Sequence, residues 1–123
     1  MAAEIFEVKN CALHIELDDK LNSVKLNMEK RKNFYLIYKE AINNIAKYAA
    51  CKDVWIQMQM HHNEVMLQIK DNGNGFDIVN KKNGNGLINM QQRTNMLKGK
   101  LIVTSKINEG TLVELRFEVW SVI

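Results

Sequence analysis

Four places in this chain carry residues whose types and spacing could do chemistry. In Tyr38-Lys39-Glu40-Ala41-Ile42-Asn43-Asn44-Ile45-Ala46-Lys47-Tyr48, the polar residues Glu40, Asn44 and Lys47 stand at i, i+4 and i+7. On a helix that spacing makes one stripe of carboxylate, carboxamide and ammonium. The stripe runs along the edge of an apolar face, where it would border a cleft beside the core. The alternative is ordinary exposed side-chain pairing on a helix surface.

The second place is Asp71-Asn72-Gly73-Asn74-Gly75-Phe76-Asp77. Asp71 continues the odd-numbered parity of Val65, Leu67 and Ile69, so a strand here aims its carboxylate at the covered face. A carboxylate on that face needs a donor or costs several kcal/mol; the exocyclic amine of a base would supply one. Gly73 and Gly75 permit a steep turn and close approach of the backbone to a ligand. A calcium loop fails on position: glycines occupy the third and fifth places, and Lys82 stands where the bidentate Glu belongs. A plain loop remains the alternative.

The third is Gly84-Asn85-Gly86-Leu87, a glycine pair opening a helix, where backbone N–H groups form a ready anion site. It is neither the dinucleotide fingerprint, since Asn89 replaces the third glycine, nor a Walker loop, since no Gly-Lys-Ser/Thr follows. The fourth is Thr111, which shares the parity of Val113, Leu115 and Phe117 beside Gly110, so its hydroxyl could reach the pocket of Asp71. A satisfied core threonine is the alternative.

The elements that must position these residues are legible from periodicity. Residues 11–17 read as a strand with Leu13, Ile15 and Leu17 on one face. From Met28 to Ala49 the spacing predicts a helix with Phe34, Ile37, Tyr38, Ala41, Ile42, Ile45, Tyr48 and Ala49 on its apolar side. Strands 53–61 and 64–71 form a hairpin about His62-Asn63. After the loop 72–86 a second helix is expected from Leu87 to Lys98, stopped by Gly99. Strands 100–107 and 111–119 close at Asn108-Glu109-Gly110. Hairpins dominate, so the expected fold is α+β: a two-layer sandwich with a mixed sheet and helices on one face.

Composition narrows the function. The chain has 123 residues, 46% hydrophobic and 25% charged, suited to one globular domain, and no proline, so glycine and asparagine must make the bends. The net charge of +3 is spread along the chain, and the runs Lys30-Arg31-Lys32 and Lys81-Lys82 lack interleaved aromatics, which argues against nucleic acid. Cys11 and Cys51 form no CxxC pair and suit free thiols in a reducing cytosol, with a disulfide between them as the alternative. No signal peptide or apolar span is present in the sequence.

Taken in this order, the four clusters resemble the HATPase catalytic domain of sensor histidine kinases, a branch of the Bergerat-fold (GHKL) ATPases. Glu40-x-x-x-Asn44-x-x-Lys47-Tyr48 is similar to the N box, Asp71-x-Gly73-x-Gly75 to the G1 box, Gly84-x-Gly86-Leu87 to the G2 box, and Gly110-Thr111 to the terminal glycine-threonine element. The resemblance spans about residues 10–118 and is nearest to nitrate-sensor-type kinases. It divides the chain into residues 1–9, the end of a linker helix or an added segment, and the domain 10–123.

The resemblance implies ATP and Mg²⁺ as cofactors. Asp71 would accept from the adenine amino group, with Thr111 helping through a water. Asn44 would ligate Mg²⁺, and Glu40 would act as base or as a partner of that magnesium site. Lys47 would touch phosphate, and Gly84 and Gly86 would let the loop and helix cradle the phosphates. Residues 78–83 would be a short lid offering Lys81 and Lys82. Tyr48 departs from the family's usual histidine, a position that mainly packs.

His14, His61 and His62 read as surface residues and do not fit a phosphoacceptor. The partner expected for the domain is therefore a dimerisation and phosphoacceptor helix pair of a parent kinase, with a response regulator served indirectly. The isolated chain is expected to be a cytoplasmic monomer from a parent that could be membrane-anchored. The rival readings are an anti-sigma-factor-type serine kinase and a non-catalytic ATP-sensing module of the same fold.

Overall fold

The computed structural model describes residues 12–48, 53–73 and 85–119. Five strands, β1 (Ala12–Leu17), β2 (Asp53–His61), β3 (Glu64–Asp71), β4 (Lys100–Lys106) and β5 (Gly110–Glu118), form one sheet in the order β1-β2-β3-β5-β4. β1 runs parallel to β2 and the other pairings are antiparallel, so the sheet is mixed. Helices α1 (Met28–Tyr48) and α2 (Asn85–Met96) supply the second layer.

Alternation sets the core. Val65, Leu67, Ile69 and Asp71 of β3 are buried, and across the β3–β5 ladder they pair with Phe117, Leu115, Val113 and Thr111, also buried. From the helix side come Ile37, Ala41, Ile42 and Ile45 of α1, with Met90 and Thr94 of α2 and Leu97 just beyond it. Phe34 meets Phe117 at a ring-centroid distance of 5.6 Å. Thr94 is admitted to this apolar layer because its hydroxyl donates to Met90 O at 2.7 Å, one helical turn back. α1 begins where Asn27 Oδ1 accepts from Lys30 N at 2.8 Å, a side-chain N-cap. Lys30 Nζ in turn donates to Glu118 O and Val119 O at 3.2 and 3.0 Å, tying that helix end to the end of β5.

Two local expectations need correction, and the shared face of β1, though found, is largely exposed. Ile15 pairs with buried Ile56 on the inner face, yet Ile15 and Leu17 are 55% and 60% exposed. The helix cover ends between β2 and β1, so sharing a face did not guarantee burial. α2 starts at Asn85, two residues before the predicted Leu87, and ends at Met96. Its stop is Lys98, at φ 54°, which lets Lys98 N reach Asn95 O and Gly99 N reach Thr94 O, both at 3.0 Å. That pair of bonds is a Schellman close with lysine in the left-handed place. Gly99 serves another need: a Cβ there would run into the Arg116 carbonyl oxygen of β5.

Lys98→Gly is therefore expected to stabilise the fold by about 0.5–1 kcal/mol, by removing the left-handed penalty at an exposed site. A urea midpoint that rises at constant slope would be the expected sign, and an unchanged or lower midpoint would contradict the assignment of strain to Lys98.

Candidate functional site: a buried carboxylate beside a helix pair

β3 ends on Asp71, which is 1% exposed. Its Oδ1 accepts from Gly73 N at 2.7 Å, and the backbone N–H of Thr111, its cross-strand partner, lies near enough to favour the charged form. Burial pushes the carboxyl above the usual carboxylate range, while the N–H groups of Gly73 and Thr111 pull against that rise. Oδ2 is buried with no hydrogen-bond partner among the described residues. A buried acceptor without a donor costs free energy until a ligand provides one.

Thr111 lies beside Asp71 at 6% exposure, its Oγ1 2.8 Å from Ser105 Oγ. Ser105 also donates to Gly110 O at 3.3 Å. Sequence reasoning missed Ser105, although its odd parity with Leu101 and Val103 and its pairing opposite Thr111 were the available signal. A cavity of about 240 Å³ lined by Lys70, Thr104, Lys106 and Leu112 lies on the outer face of the sheet, behind Asp71 and Thr111.

The other half of the site is built by the helices. Glu40 and Asn44 project from α1 toward the first turn of α2, where a Cβ on Gly86 would collide with the Glu40 carboxylate and crowd the Asn44 amide. Glycine at 86 lets the start of α2 sit against the stripe with Glu40 and Asn44 in the positions they occupy. Asn44 Nδ2 is the second buried side-chain atom without a hydrogen-bond partner among the described residues. Glu40 also walls a groove of about 340 Å³ between the helices, with Leu36, Lys39, Met90 and Arg93. Arg93 Nη1 donates to the buried Asn33 Oδ1 at 3.1 Å and holds α2 to α1.

Topology puts the two halves at one end of the sandwich. α1 finishes at Tyr48, one turn past Asn44, and β2 begins at Asp53 with Val54 paired to Asp71. Leu87 is half-buried against the core, and Gly73 is buried. Lys47 lies on α1, but its side chain is outside what the structure describes, as are Gly75, residues 78–83 with Lys81 and Lys82, and Gly84. Cys11 and Cys51 also lie outside the described residues.

Among the described residues no group of three His, Cys, Asp or Glu side chains could hold a metal ion alone. A magnesium site here has to draw on ligand phosphates and water, as that ion commonly does. Asn44 fits such a role: its Nδ2 is buried without a hydrogen-bond partner and lies next to Glu40, and turning the amide end for end presents Oδ1 in its place.

Residues 29–121 match the family described as histidine kinase-, DNA gyrase B-, and HSP90-like ATPase, and the chain belongs to that family. It is 39% identical over 80 residues to the signal transduction histidine-protein kinase/phosphatase DegS of Brevibacillus brevis, covering 64% of this chain and 21% of that protein. Against the oxygen sensor histidine kinase NreB of Staphylococcus carnosus it is 29% identical over 109 residues, covering 87% of this chain and 31% of the relative. The chain thus spans about a fifth to a third of the length of these curated relatives.

The fold is shared with the histidine kinase domain of the blue-light activated histidine kinase of Erythrobacter litoralis EL346, at a TM-score of 0.80 and 17% identity over 96% of this chain and 57% of that one. It is also shared with the histidine kinase AdeS of Acinetobacter baumannii, at 0.74 and 14%, over 97% of this chain and 59% of that one. The expected α+β sandwich is the fold found. No helix among the described residues is long and apolar enough to cross a membrane.

Proposed function

We propose that this chain is the ATP-binding catalytic domain of a sensor histidine kinase, presenting the γ-phosphoryl group to a histidine on a dimerisation helix pair of its parent. The observation that carries the reading is the pair of buried, unpartnered atoms, Asp71 Oδ2 and Asn44 Nδ2, at one end of the sandwich. The adenine amino group is a donor matched to Asp71, and the fold family uses ATP. Thr111 assists through a water, and Gly73 and Gly75 let the backbone close on the base. Asn44 would hold Mg²⁺, which when bound supplies charge neutralisation at the phosphates. Lys47 and Lys82 would supply positive charge to the phosphates, and Gly84, Gly86 and Leu87 would complete the phosphate-binding element.

Such a site works by positioning and charge neutralisation. A nitrogen of the acceptor histidine forms the new bond to phosphorus, the bond to the β–γ bridging oxygen breaks, and ADP leaves with that electron pair. Glu40 would take the imidazole proton as that bond forms, or support the magnesium site. The histidine-kinase names of the relatives favour a histidine over a serine as acceptor. The parent's response regulator would then receive the phosphoryl group, and the domain would work on the cytoplasmic side.

With ATP labelled at the γ-phosphate, the chain alone is expected to stay unlabelled. A separately made helix pair from the parent should acquire an acid-labile phosphohistidine when the chain is added. Labelling of the chain itself, or acid-stable serine phosphate on the partner, would contradict this reading.

A further inference from the structure

The turn that carries Asp71 is held from outside the pocket by residues no nucleotide would touch. β3 leaves the ladder at Asn72, and the side chain of Asn72 takes over the backbone's work. Its Oδ1 accepts from Asp53 N at 2.9 Å, the place a continuing strand would fill with a carbonyl. Its Nδ2 donates to Asp53 Oδ2 at 3.2 Å, and its N–H reaches Asp53 O at 3.4 Å. Freed from the ladder, the chain turns so that Gly73 N meets Asp71 Oδ1.

Asp53 is itself held. His14 Nε2 on the edge strand lies 2.9 Å from Asp53 Oδ1, and the His14 ring stacks on Trp55 at 5.5 Å with planes 17° apart. One carboxylate therefore joins β1 to the turn, with one oxygen for each neighbour.

We propose that Asp53, steadied by His14, is a positioning residue for nucleotide binding. It fixes Asn72, and through it the Gly73 turn, so that Asp71 Oδ2 is aimed at the base before ligand arrives. Prior ordering of a binding turn raises affinity by removing an ordering cost from the binding step. The edge strand thereby acquires a line to the adenine end, since any shift of β1 relative to β2 is felt at Asn72. The proposal rests on the ATP-binding reading above.

The test compares Asp53→Ala, Asp53→Asn and His14→Ala in the full chain, with two readouts. The first is the amide resonance and hydrogen exchange of Gly73 without nucleotide; the second is the Kd for a non-hydrolysable ATP analogue. Asp53→Ala keeps the backbone bonds to Asn72 but loses the carboxylate that holds its amide and His14, so it should loosen the Gly73 amide and raise Kd about three- to fivefold, with melting temperature little changed. Asp53→Asn can still accept from Asn72 and donate to His14, so it should restore Gly73 protection and bring Kd within about twofold of wild type. His14→Ala should move both readouts in the direction of Asp53→Ala, by about two- to threefold in Kd.

Wild-type affinity and an unaltered Gly73 amide in Asp53→Ala would overturn the proposal alone. So would an Asp53→Asn chain as impaired as Asp53→Ala. A folded wild-type chain that binds no adenine nucleotide would overturn the functional reading, and this proposal with it.

Discussion

Asp71→Asn is expected to weaken ATP-analogue binding about a hundredfold while leaving the nucleotide-free domain at least as stable as wild type at neutral pH. The two effects have one origin. The carboxylate is buried with Oδ2 unpaired, which costs the empty protein and serves the bound one. Losing a hydrogen bond to a charged acceptor costs about 1.5–3 kcal/mol, or about ten- to a hundredfold. The substituted amide adds to this by setting an NH₂ group where the base's own donor arrives. Nothing comparable is lost in the empty domain, because that amide keeps an oxygen for Gly73 N.

The pH dependence has a definite sign. Burial raises the Asp71 pKa in the folded state above its unfolded value of about 3.9. A raised carboxyl contributes stability that is complete below the unfolded value and is lost as pH climbs through the folded one. The gap between Asp71→Asn and wild type should therefore open as pH rises from 4 toward neutrality, with the variant the more stable. Denaturant melts across that window check it. A variant that loses stability in step with affinity would mean that Asp71 is structural, and the ligand argument would fail.

Gly110→Ala is expected to cost about 3 kcal/mol, lowering the melting temperature by roughly 10–15 °C. Gly110 sits at φ 90°, where any side chain is strained, and a Cβ there would press on the Asp71 carbonyl oxygen. The obstacle is backbone of β3, so no rotamer can yield. Relief requires β3 and β5 to part at the Asp71–Thr111 pair, so that end of the sheet should loosen as the fold weakens. Gly86→Ala makes a useful contrast: its new methyl meets the side chains of Glu40 and Asn44, which can swing aside, so the fold should hold. Scanning calorimetry of the two variants separates these cases, and equal losses would contradict the distinction between backbone and side-chain obstacles.

Much of this was legible because burial follows period. The 2.0-residue alternation of β3 and β5 placed Asp71 and Thr111 on the inner face, and the pairing sets them opposite one another. The 3.6-residue stripe of α1 gave its core side, with Ile37, Ala41, Ile42 and Ile45 buried as the pattern required. The hairpin at His62-Asn63 also fell where turn chemistry put it, with His62 at φ 57°.

What stayed hidden depends on distant neighbours. The exposure of Ile15 and Leu17 reflects where the helices stop, which no local pattern encodes. Lys98 occupies the left-handed turn that Gly99 seemed made for, because Gly99 is needed for contact with Arg116. His14, Asp53 and Asn72 lie up to 58 positions apart (72 − 14) and meet only through strand pairing. Ser105 was within reach of parity reasoning once β4 and β5 were paired, and its partner Thr111 was already singled out.

The measurement that bears most directly on the central claim is calorimetric titration of the wild-type chain with a non-hydrolysable ATP analogue, with and without Mg²⁺. The predicted result is one saturable site per chain, tighter when Mg²⁺ is present and discriminating against a guanine analogue, whose carbonyl cannot donate to Asp71 Oδ2. A folded chain that gives no heat with either nucleotide, or that binds both bases alike, would contradict the assignment of Asp71 as the adenine acceptor and of this domain as an ATP site.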